Sequence, residues 1–313
     1  MISLIEVSKV YGLTAALSDF TANFDKGCNG LLGPNGAGKT TTLRLIAGLI
    51  KPDKGNVLTL GENPFNNPRV LKGVGYAPEF DEPFPWLSAR KYLRKILRFY
   101  GFPKHEINRR VEEVIRDLGM NDFADRQIMG YSRGMLQRVK IAQAIIHDPE
   151  IVLLDEPMNG LDPIWRHRMI NLIKKWRKEG KLVIYSTHLL FEAEKVCTKA
   201  YFIYRGTLVA HGELYEIRKK LQEYPHRVKI KVSNNISKLL KKIIDLPYVN
   251  SLQVVDRVEN KGTIEVKVID AEKFYREIPV LLLENNITLE EIESVDDNLD
   301  TLYKYILEVS KEV

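Results

Sequence analysis

The sequence has only two cysteines and no long uncharged apolar segment. Cys28 and Cys197 lie far apart and lack metal-motif spacing, so we expect neither a disulfide framework nor a cysteine metal site. One of the longest uncharged runs, Leu182 to Phe191, falls well short of the roughly 18 residues that span a bilayer. No basic region followed by an apolar segment opens the chain, which argues against a secretory signal. These absences predict a soluble protein of the reducing cytoplasm.

Length and charge predict two domains. A chain of 313 residues exceeds the usual size of one domain, and 44% hydrophobic with 28% charged residues is ordinary for a globular protein. Residues 221–313 contain 13 Lys+Arg and 17 Asp+Glu, although the whole chain has a net charge of +6. The first part is therefore basic and suits an anionic ligand. Charge alone does not choose among a nucleotide, a membrane surface and nucleic acid.

Residues 33–40 read GPNGAGKT, a full match to the phosphate-binding loop G-x-x-x-x-G-K-[ST]. An apolar run ends at residues 31–32 and a helix-forming stretch, Thr41 to Leu49, follows, which gives the strand–loop–helix order that the motif requires. Its glycines let backbone amides point at phosphate oxygens, while Lys39 reaches the outer phosphates and Thr40 offers a hydroxyl to Mg²⁺. The residues expected to contact the nucleotide are Gly33, Pro34, Asn35, Gly36, Ala37, Gly38, Lys39, Thr40 and Thr41.

A second motif, IVLLDEP at residues 151–157, places two acids after a strand-like apolar run. The carboxyl edge of a parallel sheet is where such folds bind ligands. Asp155 is predicted to hold Mg²⁺ and Glu156 to polarise the attacking water. The alternative is that the two acids merely cap the next turn.

A third motif, YSRGMLQR at residues 131–138, opens an amphipathic helix. Ser132 and the amides of Gly134 and Met135 would point from the helix N-terminus, which is another phosphate site. Taken alone, Ser132 is better explained as an ordinary capping serine.

In this order, together with Asn159-Gly160-Leu161-Asp162 and Ser186-Thr187-His188, the motifs resemble the ATP-binding subunit of an ABC transporter over residues 1 to about 220. The resemblance implies a P-loop NTPase fold of the ABC ATPase type. Such a fold has a parallel-sheet core, an antiparallel β subdomain and a helical insert at about residues 85–135. It also implies that two ATPase domains close head to tail, trapping ATP and Mg²⁺ between one phosphate loop and the other protomer's YSRGM segment.

The resemblance assigns roles to single residues. Ser132 and Gly134 would contact the γ-phosphate in trans, and Asp162 would reach across the dimer. His188 would hydrogen-bond the γ-phosphate and steady the attacking water, and Tyr11 would stack on adenine. The alternatives are a strand-end histidine at 188 and an ordinary turn tyrosine at 11.

Two positions depart from the family pattern. Glu79 stands where the family usually has a glutamine that touches Mg²⁺ and water, and Arg133 stands where the signature has a glycine. A carboxylate at 79 can still ligate the metal, but it repels ATP when the metal is absent. Arg133 either points away from phosphate or adds a charge contact.

The segment at residues 80–87, FDEPFPWL, is aromatic and proline-rich for a loop. In the family this neighbourhood receives a short helix of the membrane subunit, so Phe84 and Trp86 are candidate docking residues. The alternative is that both pack inside the helical lobe.

A domain boundary is predicted near residues 223–226, giving an ATPase domain of residues 1–222 and an accessory domain of residues 223–313. The alternating and helical patterns beyond it follow the order βαββαβ, with a strand at Ile287 to Val295 and a final helix around residues 299–307. This order predicts an α+β ferredoxin-like domain. It is similar to the appendage of ABC-2-type exporter subunits, and it is interpreted as a dimerisation or regulatory module.

The leading hypothesis is an ATP-hydrolysing exporter subunit, peripheral on the inner face of the cell membrane. Its partners would be a separate transmembrane permease and a second ATPase protomer, identical or related, with no nucleic acid expected. One alternative is an ABC-type ATPase that acts on nucleic acid or the ribosome. The interval from Lys39 to Ser132 is, however, too short for the coiled-coil arms of DNA-repair relatives. The other alternative is a nucleotide-sensing regulator.

Overall fold

The computed structural model describes residues 1–80, 83–217 and 226–294, and it divides the chain into two compact units, Met1–Leu214 and Tyr215–Val313. The boundary predicted between residues 222 and 223 falls in a stretch outside the described residues.

The elements of the first unit, in chain order, are β1 Ile2–Tyr11, β2 Thr14–Phe24, β3 Gly27–Leu32, α1 Lys39–Ile46, β4 Lys54–Thr59, α2 Pro68–Lys72, β5 Val74–Ala77, α3 Ala89–Phe99, α4 Lys104–Asp117, α5 Arg133–Ile145, β6 Ile151–Asp155, α6 Pro163–Lys178, β7 Leu182–Thr187, α7 Leu190–Glu194, β8 Lys199–Tyr204 and β9 Thr207–Glu213. Those of the second are β10 His226–Val232, α8 Ile236–Ile244, β11 Val249–Val258, β12 Lys261–Val268, α9 Ala271–Glu284 and β13 Leu289–Ser294.

The main sheet of the first unit has the order β5-β6-β7-β3-β8-β9, and all its pairs are parallel except β8 with β9. Every residue of β6 and β7 is buried, as expected for parallel strands covered on both faces. A separate antiparallel sheet has the order β2-β1-β4. Because β6, β7 and β3 are neighbours, the loops that follow them meet at one edge of the main sheet.

Between β5 and β6 the chain forms the predicted helical insert. Helix α3 begins at the capping side chain of Ser88 and buries Leu93 and Leu97, and α4 buries Val111 and Ile115. Among the described residues, none of the helices combines the length and the apolar character needed to cross a membrane.

His147, in the turn between α5 and β6, is held as a buried neutral base. Its ring stacks on Tyr100 with centroids 4.2 Å apart, and its Nε2 lies 3.1 Å from the carbonyl oxygen of Val74. Burial is the main effect on the pKa of His147, and it lowers that pKa because it disfavours the charged ring. The nearby Arg110 guanidinium lowers the pKa further, whereas the Val74 hydrogen bond and the Asp148 carboxylate raise it. The net result is a pKa lowered from 6.5 to about 4.

We expect this histidine to weaken the fold in mild acid. Its folded pKa lies below its unfolded pKa, so the unfolded chain binds the extra proton as the pH falls from 6.5 towards 4. The shift corresponds to about 3 kcal/mol lost over that window. Urea unfolding at pH 7.0 and pH 4.5 should show that His147→Gln loses less stability on acidification than the wild type. An identical loss in both proteins would contradict this assignment.

Within residues 226–294, which the structure describes, the second unit forms an antiparallel sheet of order β11-β12-β10-β13 with two helices, α8 and α9. Its core joins alternate residues of β10 and β12 to the apolar sides of α8 and α9. The elements follow the βαββαβ order. The last strand, Leu289–Ser294, begins two residues later than the predicted start at Ile287, and the predicted end at Val295 lies outside the described residues. The final helix predicted around residues 299–307 lies outside the described residues.

Candidate functional site

The phosphate loop joins the end of β3 to the start of α1, as the motif predicts. Gly38 has φ +112°, in the left-handed region, and a Cβ there would lie 2.6 Å from the carbonyl oxygen of Ala16. Only glycine therefore fits, and α1 begins directly after it with no side-chain cap at its N-terminus. An uncapped helix N-terminus after a glycine-rich loop is suited to binding an anion through backbone amides.

Lys39 lies almost fully buried in the centre of this loop. Its ammonium donates to the carbonyl oxygens of Gly33 at 2.7 Å and Pro34 at 3.3 Å, and it lies 3.3 Å from Glu156 Oε1. The Lys39 ammonium thus contacts both the phosphate loop and Glu156, the residue that follows β6. Phosphate oxygens entering the loop would compete for the same ammonium protons.

Asp155, the last residue of β6, is fully buried and accepts three hydroxyl hydrogen bonds. Thr40 donates to its Oδ2 at 2.8 Å and Ser186 donates to its Oδ1 at 2.6 Å, while the Tyr76 hydroxyl lies 3.4 Å from Oδ2. The predicted metal ligands Thr40 and Asp155 are therefore in contact, although they lie far apart in sequence.

Glu156 is held in an unusual backbone conformation next to Asp155. Its φ is +47°, and its amide lies 3.1 Å from the hydroxyl and 3.3 Å from the carbonyl oxygen of Ser186. The Nδ1 atom of His188 lies 3.1 Å from both carboxylate oxygens of Glu156. The sequence-predicted base and histidine are thus brought together, and His188 is partly exposed.

Glu79 is the third acidic residue of this edge. Burial, and then the negative charges of Asp155 and Glu156, raise its pKa above the ordinary value. The side-chain amide of Asn159 donates to its Oε1 at 3.4 Å, and the Lys140 ammonium donates to its backbone carbonyl. The loop that carries Glu79 is thereby tied to the α5 helix.

The oxygen atoms at this edge suit Mg²⁺ bound together with a nucleotide. Among the described residues, no group of three or more His, Cys, Asp and Glu side chains could hold a metal ion. Mg²⁺ usually takes one or two carboxylates along with substrate phosphates and water. The contact of Thr40 with Asp155, with Glu79 nearby, meets that need.

Ser132, Gly134 and Asp162 form a second surface. Ser132 caps α5 by accepting from the amide of Met135 at 3.3 Å, and Asp162 caps α6 by accepting from the amide of Trp165 at 2.9 Å. A Cβ on Gly134 would lie 2.9 Å from the carbonyl oxygen of Gly160, so the two loops touch. Ser132 and Asp162 are exposed, and so is Arg133, which replaces the glycine of the family pattern.

Tyr11 is half exposed, at 47%, at the end of β1. The Lys9 ammonium lies 5.6 Å from the centre of its ring. Asp53 accepts from Lys9 at 2.9 Å and from the amide of Val10 at 2.7 Å. The Val10 and Lys9 bonds lower the pKa of Asp53, so this carboxylate is charged and braces the strand that carries Tyr11.

Phe84 and Trp86 lie on the surface of the helical insert. They are 54% and 65% exposed, and their ring centres are 5.6 Å apart. Phe84 also meets Tyr92 edge-on, at 6.1 Å. The alternative prediction, that both aromatic side chains pack inside the lobe, is therefore wrong.

Several supporting residues were given no role from the sequence, although Ser186 and Asn159 lie within two of the motifs. Ser186 and Tyr76 hold Asp155, Asn159 contacts Glu79, and Asp53 braces Tyr11. The position of Ser186 two residues before His188 could have indicated its role. For Asn159, Tyr76 and Asp53 the sequence did not indicate the contacts, because their partners are distant in sequence.

Comparison with known proteins finds similar sequences and a similar fold. The ABC transporter family model matches residues 18–159. The uncharacterized ABC transporter ATP-binding protein YxlF of Bacillus subtilis (strain 168) is 30% identical over 304 residues, which cover 97% of this chain and 98% of that protein. Nod factor export ATP-binding protein I of Cupriavidus pinatubonensis is 37% identical over 219 residues, covering 69% of this chain and 67% of that protein. A dimeric cassette structure in a post-hydrolysis state, bound to ADP and Pi, is 25% identical with a TM-score of 0.64, covering 68% of this chain and 99% of that one.

Proposed function

This chain belongs to the ATP-binding proteins of ABC transporters, and from that membership we propose how its residues bind and hydrolyse ATP to drive a separate exporter permease. The observation that carries the proposal is the convergence of Lys39, Asp155, Glu156 and His188 at one edge of the sheet.

The hydrolysis step follows from these contacts. The loop amides and Lys39 hold the β- and γ-phosphates, and Lys39 screens the charge that builds up during phosphoryl transfer. Glu156 orients a water for in-line attack and accepts its proton. His188, 3.1 Å from that carboxylate, fixes its orientation and reaches towards the γ-phosphate.

Thr40 and Asp155 would hold the Mg²⁺ that accompanies ATP, and Glu79 would be a further ligand. When bound, the metal neutralises phosphate charge. Asp155 is oriented for this role by Ser186, whose hydroxyl also approaches the Glu156 amide. One serine therefore sets both the metal ligand and the base.

The surface formed by Ser132, Gly134 and Asp162 completes the ATP site of a second copy of the chain. Ser132, Gly134 and Asp162 lie together on a surface of their own, and Ser132 and Asp162 are exposed. Two copies arranged head to tail would each offer this surface to the other's phosphate loop. The γ-phosphate then bridges the protomers only before hydrolysis, so that cleavage releases the closed state.

Glu79 gives a test of the metal site. Replacing it by Gln removes a negative charge beside Asp155 and Glu156, and should strengthen ATP binding in EDTA several-fold because the repulsion disappears. Fluorescent-nucleotide titrations of wild type and Glu79→Gln, with EDTA and with Mg²⁺, measure the effect. Glu62→Gln, outside this edge, is the control. Equal affinities in EDTA would count against a direct role for Glu79.

The exposed aromatic pair is the proposed permease contact. Aromatic side chains that are more than half exposed are favourable anchors for an interface, and the pair lies on the helical insert. The Nod factor relative carries export in its name, and we extend that direction of transport to this chain. The chain would then act on the inner face of the cell membrane.

We expect the double variant Phe84→Ala and Trp86→Ala to lose co-purification with its permease by at least tenfold, while its ATP affinity stays within twofold of wild type. Phe99→Ala, an exposed aromatic at the end of α3, is the matched control. Co-purification at the wild-type level would rule out this docking site.

A further inference from the structure

A buried carboxylate directly behind His188 takes no part in the mechanism above. Glu192, on α7, is 7% exposed, and its Oε2 accepts from the Tyr185 hydroxyl at 2.8 Å and from the Thr187 hydroxyl at 3.2 Å. Tyr185 is fully buried, and burial together with the Glu192 charge raises the pKa of its hydroxyl, which keeps it a donor. Because an unpaired buried charge is costly, these bonds fix the end of β7 against α7.

The Thr187 bond extends to the backbone on the other side of the histidine. Its hydroxyl oxygen accepts from the amide of Leu189 at 3.1 Å, so Thr187 and Leu189 bracket His188. The Glu192 carboxylate is therefore linked through Thr187 to the backbone on both sides of the histidine that contacts Glu156.

The other carboxylate oxygen of Glu192 faces the loop that carries Asp162. Its Oε1 lies 3.8 Å from Nη1 of Arg166, and Nε of the same guanidinium donates to the carbonyl oxygen of Leu161 at 3.1 Å. The amide of Arg166 donates to the carbonyl oxygen of Asp162 at 2.9 Å. One arginine thus joins the Asp162 loop to Glu192.

We propose that Arg166 and Glu192 are a positioning pair that couples the Asp162 loop to His188. The proposal rests on the proposed function, in which Asp162 meets the second protomer. When the protomers close, the Asp162 loop is set by the partner, Arg166 moves with it, and Glu192 fixes Thr187 and His188 against Glu156. The His188–Glu156 contact of one ATP site is then fixed only when the Asp162 loop of the same protomer has met the second protomer. Neither residue belongs to the nucleotide site proposed above.

Two variants separate this coupling from nucleotide binding. Glu192→Gln keeps an oxygen acceptor for the two hydroxyls but loses the charge that faces Arg166. Arg166→Met removes the guanidinium from a partly exposed side chain, so the test does not depend on the buried variant folding. Lys175→Met, which breaks an exposed ion pair with Glu179 at 3.9 Å on the same helix, is the matched control.

The experiment measures Mg²⁺-ATP hydrolysis by the full chain at saturating protein, nucleotide affinity by fluorescence, and thermal unfolding. We expect both variants to lower kcat about tenfold, within the range of site-to-site coupling, and to bring the Hill coefficient for ATP towards one. Affinity should stay within twofold and Lys175→Met should match wild type. The double variant should be no slower than either single, because the two residues act as one unit.

Unchanged kcat in Arg166→Met, losses that multiply in the double variant, or an affinity that falls in parallel with kcat would each overturn the coupling. A merely structural role predicts a lower melting temperature without the separation of kcat from affinity. A wild-type chain that binds ATP but never hydrolyses it would overturn the proposed function and this inference with it. An active wild type with normal variants overturns the inference alone.

Discussion

Replacing Glu156 by Gln should lower the rate of Mg²⁺-ATP hydrolysis at least 100-fold while leaving ATP binding intact. A positioned general base contributes about 10²–10⁴-fold, and Gln cannot accept the proton of the attacking water. The side chain is held for this role by its left-handed backbone, by Ser186 at its amide and by His188 at its carboxylate. Because Gln has nearly the same shape, phosphates and metal should still be held.

Phosphate release measures this effect, with Glu179→Gln on the exposed end of α6 as the control. Sedimentation of Glu156→Gln adds a second reading, because slow hydrolysis should preserve the ATP-closed pair of protomers. A variant that hydrolyses ATP at more than a tenth of the wild-type rate would show that another group is the base.

Removing the Lys39 ammonium should have the other large effect. Lys39→Ala should weaken Mg²⁺-ATP binding about tenfold to 100-fold, because a hydrogen bond to a charged group contributes about 1.5–3 kcal/mol. Hydrolysis should fall further than binding, since the phosphoryl group gains charge in the transition state. The substitution also leaves the nearly buried Glu156 without its cation at 3.3 Å.

Calorimetric titration of Mg²⁺-ATP into Lys39→Ala measures the loss of affinity. Lys26→Ala is the matched control, because Lys26 is exposed and precedes β3 at the end away from the phosphate loop. Thermal unfolding reports whether the buried charge left behind has destabilised the fold. Wild-type affinity in a folded Lys39→Ala would contradict the central place given to this residue.

The fold class and the residues grouped around the phosphate loop of one protomer could be predicted from the sequence, because burial constrains which residues a strand contains. Strands buried on both faces are mostly apolar, so the apolar run of IVLLDEP shows the strand and its two acids mark the carboxyl end. The same pattern places Lys39, Asp155 and His188 at or beyond the carboxyl ends of neighbouring strands. Their convergence then follows from the sheet order.

Contacts between distant segments could not be predicted in this way. Cys28 and Cys197 are unrelated in spacing, yet parallel pairing of β3 with β8 brings their sulfur atoms to 3.3 Å. Arg166 and Glu192 show no shared motif, and their meeting depends on how α6 and α7 pack on the sheet. Sequence periodicity indicates which residues of a single helix or strand are buried. The partner of a buried side chain depends on how several helices and strands pack together.

The measurement that tests the account most directly is the specific activity of Mg²⁺-ATP hydrolysis over a wide range of protein concentration. If two copies close around each nucleotide, activity per chain should rise with protein concentration and level off once nearly all chains are in dimers. An activity per chain that stays constant while the protein remains monomeric would contradict the two-copy site.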